Sequence, residues 1–71
     1  MELTVAEKIR VLLRRKNMTL GDLADAMGQS RQNLSNKMRR NNFQESDIRA
    51  IAEALGCTVE IIFTFPDGEV V

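Results

Sequence analysis

The stretch SRQNLSNKMRR, Ser30 to Arg40, is the densest set of side chains in this sequence able to make directed polar contacts. Gln32, Asn33 and Asn36 carry carboxamides, which donate and accept at once. Arg31, Lys37, Arg39 and Arg40 only donate, and Ser30 and Ser35 add hydroxyls. No carboxylate interrupts the run. This is recognition chemistry, aimed at a partner rich in acceptors and negative charge, and not bond-breaking chemistry. The chain has no histidine, and Cys57 is its single cysteine. A zinc site or a Ser-His or Cys-His pair therefore cannot be assembled, and no internal disulfide can form. The carboxylates are scattered along helices, no glycine-rich phosphate loop exists, and no nucleophile has a base nearby. An enzyme, a metal site or a cofactor is left without support.

The chain as a whole is balanced, with ten basic and ten acidic residues. That balance conceals a segregation. Lys8, Arg10, Arg14, Arg15 and Lys16 fall in one window free of acids, and Arg31, Lys37, Arg39 and Arg40 in another, so the two windows hold nine of the ten bases. One such window is ordinarily a solvated helix face. Two in 71 residues suggest a charge-polarised molecule with one face suited to a polyanion. The pI near 6.2 pulls the other way.

The elements that must carry these residues can be read from caps and spacing. Thr4 with Glu7 forms a capping box, after which Val5, Ile9, Leu12, Leu13 and Lys16 follow helical spacing up to Asn17, a suitable left-handed stop. Thr19 with Asp22 repeats the box and opens a short helix with Leu20, Leu23, Ala24 and Met27 inward, closed by Gly28. Ser30 caps a third helix in which Leu34 and Met38 face inward, broken by Asn41 and Asn42. A fourth begins near Gln44 or Glu45, buries Ile48, Ile51, Ala52 and Leu55, and ends at Gly56. Arg49 should pair with Glu45 or Glu53 on its own helix.

After Gly56 the period becomes alternating. Val59, Ile61, Phe63 and Phe65 point one way, and Glu60, Ile62 and Thr64 the other, before the turn residues Pro66, Asp67 and Gly68. A β-strand or hairpin is expected, with a short fifth helix over Thr58–Ile62 as the rival. A chain of 71 residues is one domain that buries only about 60% of its unfolded surface, so the core is small. There is no apolar run near the ~18 residues of a membrane helix and no signal-peptide core. The expected location is therefore the cytoplasm, with no membrane partner.

Two short capped helices around a glycine turn have the sequence form of a helix-turn-helix. The order L-x-x-L-A-x-x-M-G, then S-R-Q-N-L-S-N, then an amide-rich loop, then I-A-E-A-L-G resembles the phage-repressor-like (Cro/repressor, or XRE) DNA-binding family, from Thr4 to about Gly56. The resemblance implies a mainly α, four-to-five-helix repressor-like fold with residues 1–57 as the DNA-binding domain; the alternation beyond it makes residues 58–71 a C-terminal β-strand or hairpin, the expected dimerisation element. It implies double-stranded DNA as partner, with the second helix of the motif in the major groove, where Gln and Asn pair bidentately with adenine and Arg with guanine. Carried onto this chain, Arg31, Gln32, Ser35 and Asn36 would read base edges, while Thr19, Gln29, Ser30, Lys37, Arg39, Arg40, Asn41 and Asn42 would hold phosphates. Asn33 can face either the first helix of the motif or a phosphate.

The chain also departs from the family. Many members carry an interior Arg–Glu pair where this sequence has Leu13 and Met38, and Lys37 stands where a large apolar residue is usual. An apolar pair of similar volume is often neutral or stabilising, and the Lys37 stem can cover apolar surface, with Phe43 filling the remaining gap. The expected function is a transcriptional regulator, a repressor, acting as a homodimer on a palindromic operator. Val59, Ile61, Ile62, Phe63 and Phe65 would form the dimer interface. The rival is an antitoxin-type module whose C-terminal segment binds a partner protein. RNA is disfavoured, because the chain lacks Tyr and Trp.

Overall fold

The structure, a computed structural model, describes residues 2–71. Four helices follow in order: α1 (Val5–Lys16), α2 (Leu20–Met27), α3 (Arg31–Arg40) and α4 (Glu45–Ala54). α1 and α2 begin with capping boxes. Thr4 Oγ1 accepts from Glu7 N–H while the Glu7 carboxylate accepts from Thr4 N–H, and Thr19 and Asp22 repeat the exchange. These two backbone N–H bonds hold the Glu7 and Asp22 carboxyls below their ordinary values.

All four helices end alike. The residues Asn17, Gly28, Asn41 and Gly56 take positive φ, between 50° and 70°. Each following N–H reaches the carbonyl five residues back: Met18 to Leu13, Gln29 to Ala24, Asn42 to Lys37 and Cys57 to Ala52. This double closure satisfies carbonyls the helix leaves open, and it needs a residue that tolerates the left-handed region. The stops expected at Asn17, Gly28, Asn41 and Gly56 are all found.

One core joins the four helices. Ala6, Ile9 and Leu13 from α1 meet Leu23 and Ala24 from α2, Leu34 and Met38 from α3, and Ile51 and Leu55 at the end of α4. Leu23 and Leu34 are fully buried, each stabilising the fold by about 1.5–3 kcal/mol. α2 packs against both α3 and α4, which fixes the turn between α2 and α3. Phe43 packs onto the core, as expected, and so do Leu12, Met18 and Cys57. Two expectations for α1 do not hold. Val5 and Lys16 lie outside the core, because the helix ends extend past the small body they cover. Lys16 places its ammonium beside Gly56 at the carboxyl end of α4, where a cation complements the helix dipole.

The C-terminal segment forms no fifth helix and no regular strand. Thr64 and Val70 make one isolated antiparallel bridge, flanked by paired backbone bonds between Phe63 and Val71 and by Phe65 N–H to Glu69 C=O. Gly68 N–H closes on Phe65 C=O, with Pro66 in the first central position of the turn and Gly68 at φ 94°. The hairpin therefore exists as a narrow arm. Three residues on each side are too few for a ladder, and no helix covers them. From Glu60 to Val71 every residue is exposed, and the chain measures 42 Å along its long axis against 23 Å across. Only at its base does this segment pack on the helices, where Val59 is half-buried.

Candidate nucleic-acid interface

α3 is anchored along one side and open along the other. Ser30 Oγ accepts from Asn33 N–H at 3.1 Å, which caps the helix and leaves the hydroxyl proton free to donate. Leu34 and Met38, 0% and 3% exposed, hold one face in the core. On the opposite face Gln32 and Asn36 lie one turn apart, followed by Arg39 and Arg40. Gln32 is exposed and Asn36 half-buried. Asn36 Oδ1 accepts from the Arg39 guanidinium at 3.1 Å, so its amide NH₂ remains free and Arg39 is oriented. Arg31 is exposed and lays its alkyl chain over Gly21 in the first turn of α2. Ser35 is half-buried on the flank. The four side chains implied as base readers thus share one end of α3, with Gln32 and Asn36 facing outward most directly.

Beside this face runs a cleft of about 380 Å³ between α3 and the start of α4, lined by Asn33, Asn36, Lys37, Arg40, Asn42, Gln44 and Asp47. Its lining is amide and cationic except for one carboxylate. That carboxylate is answered: Lys37 Nζ lies 2.8 Å from Asp47 Oδ1, with the two side chains 28% and 12% exposed. The other oxygen of Asp47 accepts from Gln44 N–H at 2.9 Å, covering the first turn of α4. The Lys37 contact and, after it, the Gln44 N–H hold the Asp47 carboxyl below its ordinary value of 3.8.

The residues implied as phosphate holders divide into engaged and free. Thr19 uses its N–H on Asp22, and its hydroxyl oxygen accepts from Asp22 N–H, which leaves the hydroxyl proton. Gln29 Oε1 accepts from the Asn33 amide at 3.1 Å. Lys37 is paired with Asp47. Asn41 turns its carboxamide oxygen to Ala6 N–H at 3.0 Å, so it caps the first turn of α1 from the far end of α3. Arg39, Arg40 and Asn42 stay exposed at the carboxyl end of α3. Arg49 pairs with Glu45, as expected, at 2.8 Å.

The sequence pattern did not single out Gln44 or Asp47, and left Asn33 open. The Lys37–Asp47 contact crosses a loop, so no helical spacing announces it. The one available signal was Asp47 three residues after Gln44, a capping pattern that places the carboxylate at the α4 start.

A helix with this outer face matches the ~12 Å width of the DNA major groove, and amides one turn apart offer paired donors and acceptors to base edges. No described helix is long and apolar enough to cross a membrane. Neither a curated protein nor a solved structure matches the chain. The model of the Cro/C1-type helix-turn-helix DNA-binding domain does match, over residues 8–68. That span takes in α2, α3 and α4 whole and reaches the turn of the C-terminal arm. The chain belongs to the Cro/C1-type helix-turn-helix DNA-binding domain family.

Proposed function

We propose that the protein is a cytoplasmic transcriptional regulator, a repressor, which binds a palindromic operator as a homodimer with α3 in the major groove. One observation carries this reading. Gln32 and Asn36 project from the side of α3 opposite its core anchors, and Arg39 and Arg40 stand exposed just beyond them. In this reading Arg31, Gln32, Ser35 and Asn36 meet base edges. Arg39, Arg40 and Asn42, with the hydroxyls of Thr19 and Ser30, meet phosphates. Occupying an operator excludes other proteins from the same site, which is the simplest regulatory output. Titration of the protein with the duplex upstream of its own gene, across a salt series, tests it. Log affinity should fall linearly with log salt, with a slope of several units set by the phosphates contacted. Absence of duplex binding, or binding indifferent to salt, would contradict it.

A second reading, an antitoxin that neutralises a partner protein, draws on the arm. Phe63 and Val71, 73% and 74% exposed, carry more open apolar surface than DNA contact requires. A small toxin gene adjacent to this one, with a defined complex between the two products, would favour it.

A further inference from the structure

Arg39 and Asn36 form a pair whose chemistry allows only one orientation. A guanidinium has N–H donors and no acceptor, so the Asn36 carboxamide meets it through Oδ1, at 3.1 Å. The two residues lie three apart on α3, the spacing that brings helix side chains together. Arg39 stands in the last turn, where the carboxyl end of a helix favours a cation. No carboxylate on α3 draws it elsewhere, and the ion pairs among the described residues involve Lys37 and Arg49, not Arg39.

Gln32, one turn earlier on the same face, is placed differently. It is exposed, and no hydrogen bond among the described residues engages its carboxamide. Gln32 therefore keeps both the acceptor and the donor that adenine requires. Asn36 does not.

We infer that Arg39 is a positioning residue that makes Asn36 a donor-only reader, so that Asn36 selects a G·C pair where an unrestrained asparagine would select A·T. The inference rests on the base-reading role proposed above for α3 and names the base. Adenine offers N7 as acceptor and its N6 amino group as donor, so it needs the amide oxygen and the NH₂ together. With Oδ1 already on the guanidinium, the N6 amino group would bring a second donor to one oxygen and set its positive edge beside a full cation. Guanine offers N7 and O6, two adjacent acceptors. The Asn36 NH₂ can donate to both, and the donors that Arg39 has left lie beside it. The charge that opposes adenine attracts guanine, so orientation and electrostatics act in the same direction.

The pair also divides the outer face of α3 by character. Gln32 can turn its carboxamide to suit the edge it meets, whereas Asn36 is held before any DNA arrives. A group already in its bound orientation loses less freedom on binding. Asn36 is thus the stricter of the two readers.

Selection from a random duplex pool tests this, run with the full chain as wild type and as Asn36→Ala, Gln32→Ala, Arg39→Ala and Arg39→Lys. The position whose preference disappears in Asn36→Ala is the one Asn36 reads. In the wild type it should be G·C, by about tenfold over A·T. In Arg39→Ala the freed oxygen should move that position to A·T, while the position that depends on Gln32 keeps its preference and affinity falls for all sequences alike. Arg39→Lys returns a donor to Oδ1 and should return G·C. Thermal melts should show every variant folded, since all the altered side chains lie outside the core. A·T at the Asn36 position of the wild type would overturn the inference. So would an Arg39→Ala protein that binds more weakly but keeps G·C there, and both outcomes leave α3 as the base-reading helix. A change spread equally over the Gln32 position would overturn it as well, because Arg39 would then act on the whole helix and not on one amide. A pool in which no position depends on Asn36 would remove the base-reading role of that residue, and the inference with it.

Discussion

Lys37 Nζ sits 2.8 Å from Asp47 Oδ1, so a cation of α3 is held by the acid that caps α4. The pair ties the carboxyl end of α3 to the amino end of α4, and on the proposed reading it sets the angle at which α3 would meet DNA. It also neutralises the one carboxylate in the cleft beside the outer face of α3. Asp47→Asn keeps an acceptor for Gln44 N–H but releases Lys37 toward phosphate. The expected result is stronger binding to duplexes of any sequence, with the salt slope steeper by about one unit, and a stability loss near ~1 kcal/mol. An unchanged slope would place Lys37 away from the phosphates.

The same carboxylate gives a pH prediction. A carboxyl held below its unfolded value stabilises the fold above that value, and the benefit disappears as pH falls through the folded value. Glu7, Asp22 and Asp47 are all lowered, from ordinary values of 4.5, 3.8 and 3.8. Thermal melts should therefore be nearly flat from neutrality to about 5 and decline below it. Asp47→Asn should show a shallower decline; a profile identical to the parent would deny the pair a role.

On the proposed reading, the outer face of α3 separates specificity from affinity. Gln32→Ala or Asn36→Ala should relax preference at one or two base pairs by roughly 1–3 kcal/mol, with the fold intact. Arg40→Ala should weaken all sequences alike and make the salt slope shallower by about one unit. Arg39→Ala should do the same and also loosen Asn36, whose oxygen it holds. Identical effects from all four variants would dissolve the distinction.

Much of this was legible in local patterns. The capping boxes at Thr4 and Thr19, the stops at Asn17, Gly28, Asn41 and Gly56, and the inward Leu34 and Met38 depend on neighbours within about one turn, which the sequence displays directly. The contacts that tie elements together were not. Lys37 to Asp47 spans a loop, and Asn41 to Ala6 joins residues 35 positions apart, so neither leaves a periodic trace. The arm was half legible. Alternation and Pro-Asp-Gly marked the turn, but a strand needs a partner that no local pattern supplies.

Asn41 carries two loads that substitution can separate. It takes φ 50° at the end of α3, and its side chain caps Ala6 N–H in α1. Asn41→Gly keeps the left-handed conformation and loses the cap, and should cost about 1 kcal/mol. Asn41→Ala loses both and should cost about 2 kcal/mol in denaturant unfolding. Equal stability for the two variants would leave the conformational load without effect.

The core substitution Leu13→Arg is expected to be severe. Leu13 and Met38 are 7% and 3% exposed in one cluster, so the guanidinium would be buried without a carboxylate, at roughly 3–5 kcal/mol. Adding Met38→Glu should recover part of the loss. A single variant that melts with the parent would place residue 13 outside the core.

Selection of bound sequences from a random duplex pool tests the central claim, that α3 reads DNA as one half of a symmetric pair. The expected consensus is an inverted repeat with half-site centres about 34 Å, or one helical turn, apart. Its most constrained positions should lose their preference in Gln32→Ala or Asn36→Ala protein. A pool that yields no consensus, or one that Gln32→Ala and Asn36→Ala leave intact, would contradict it.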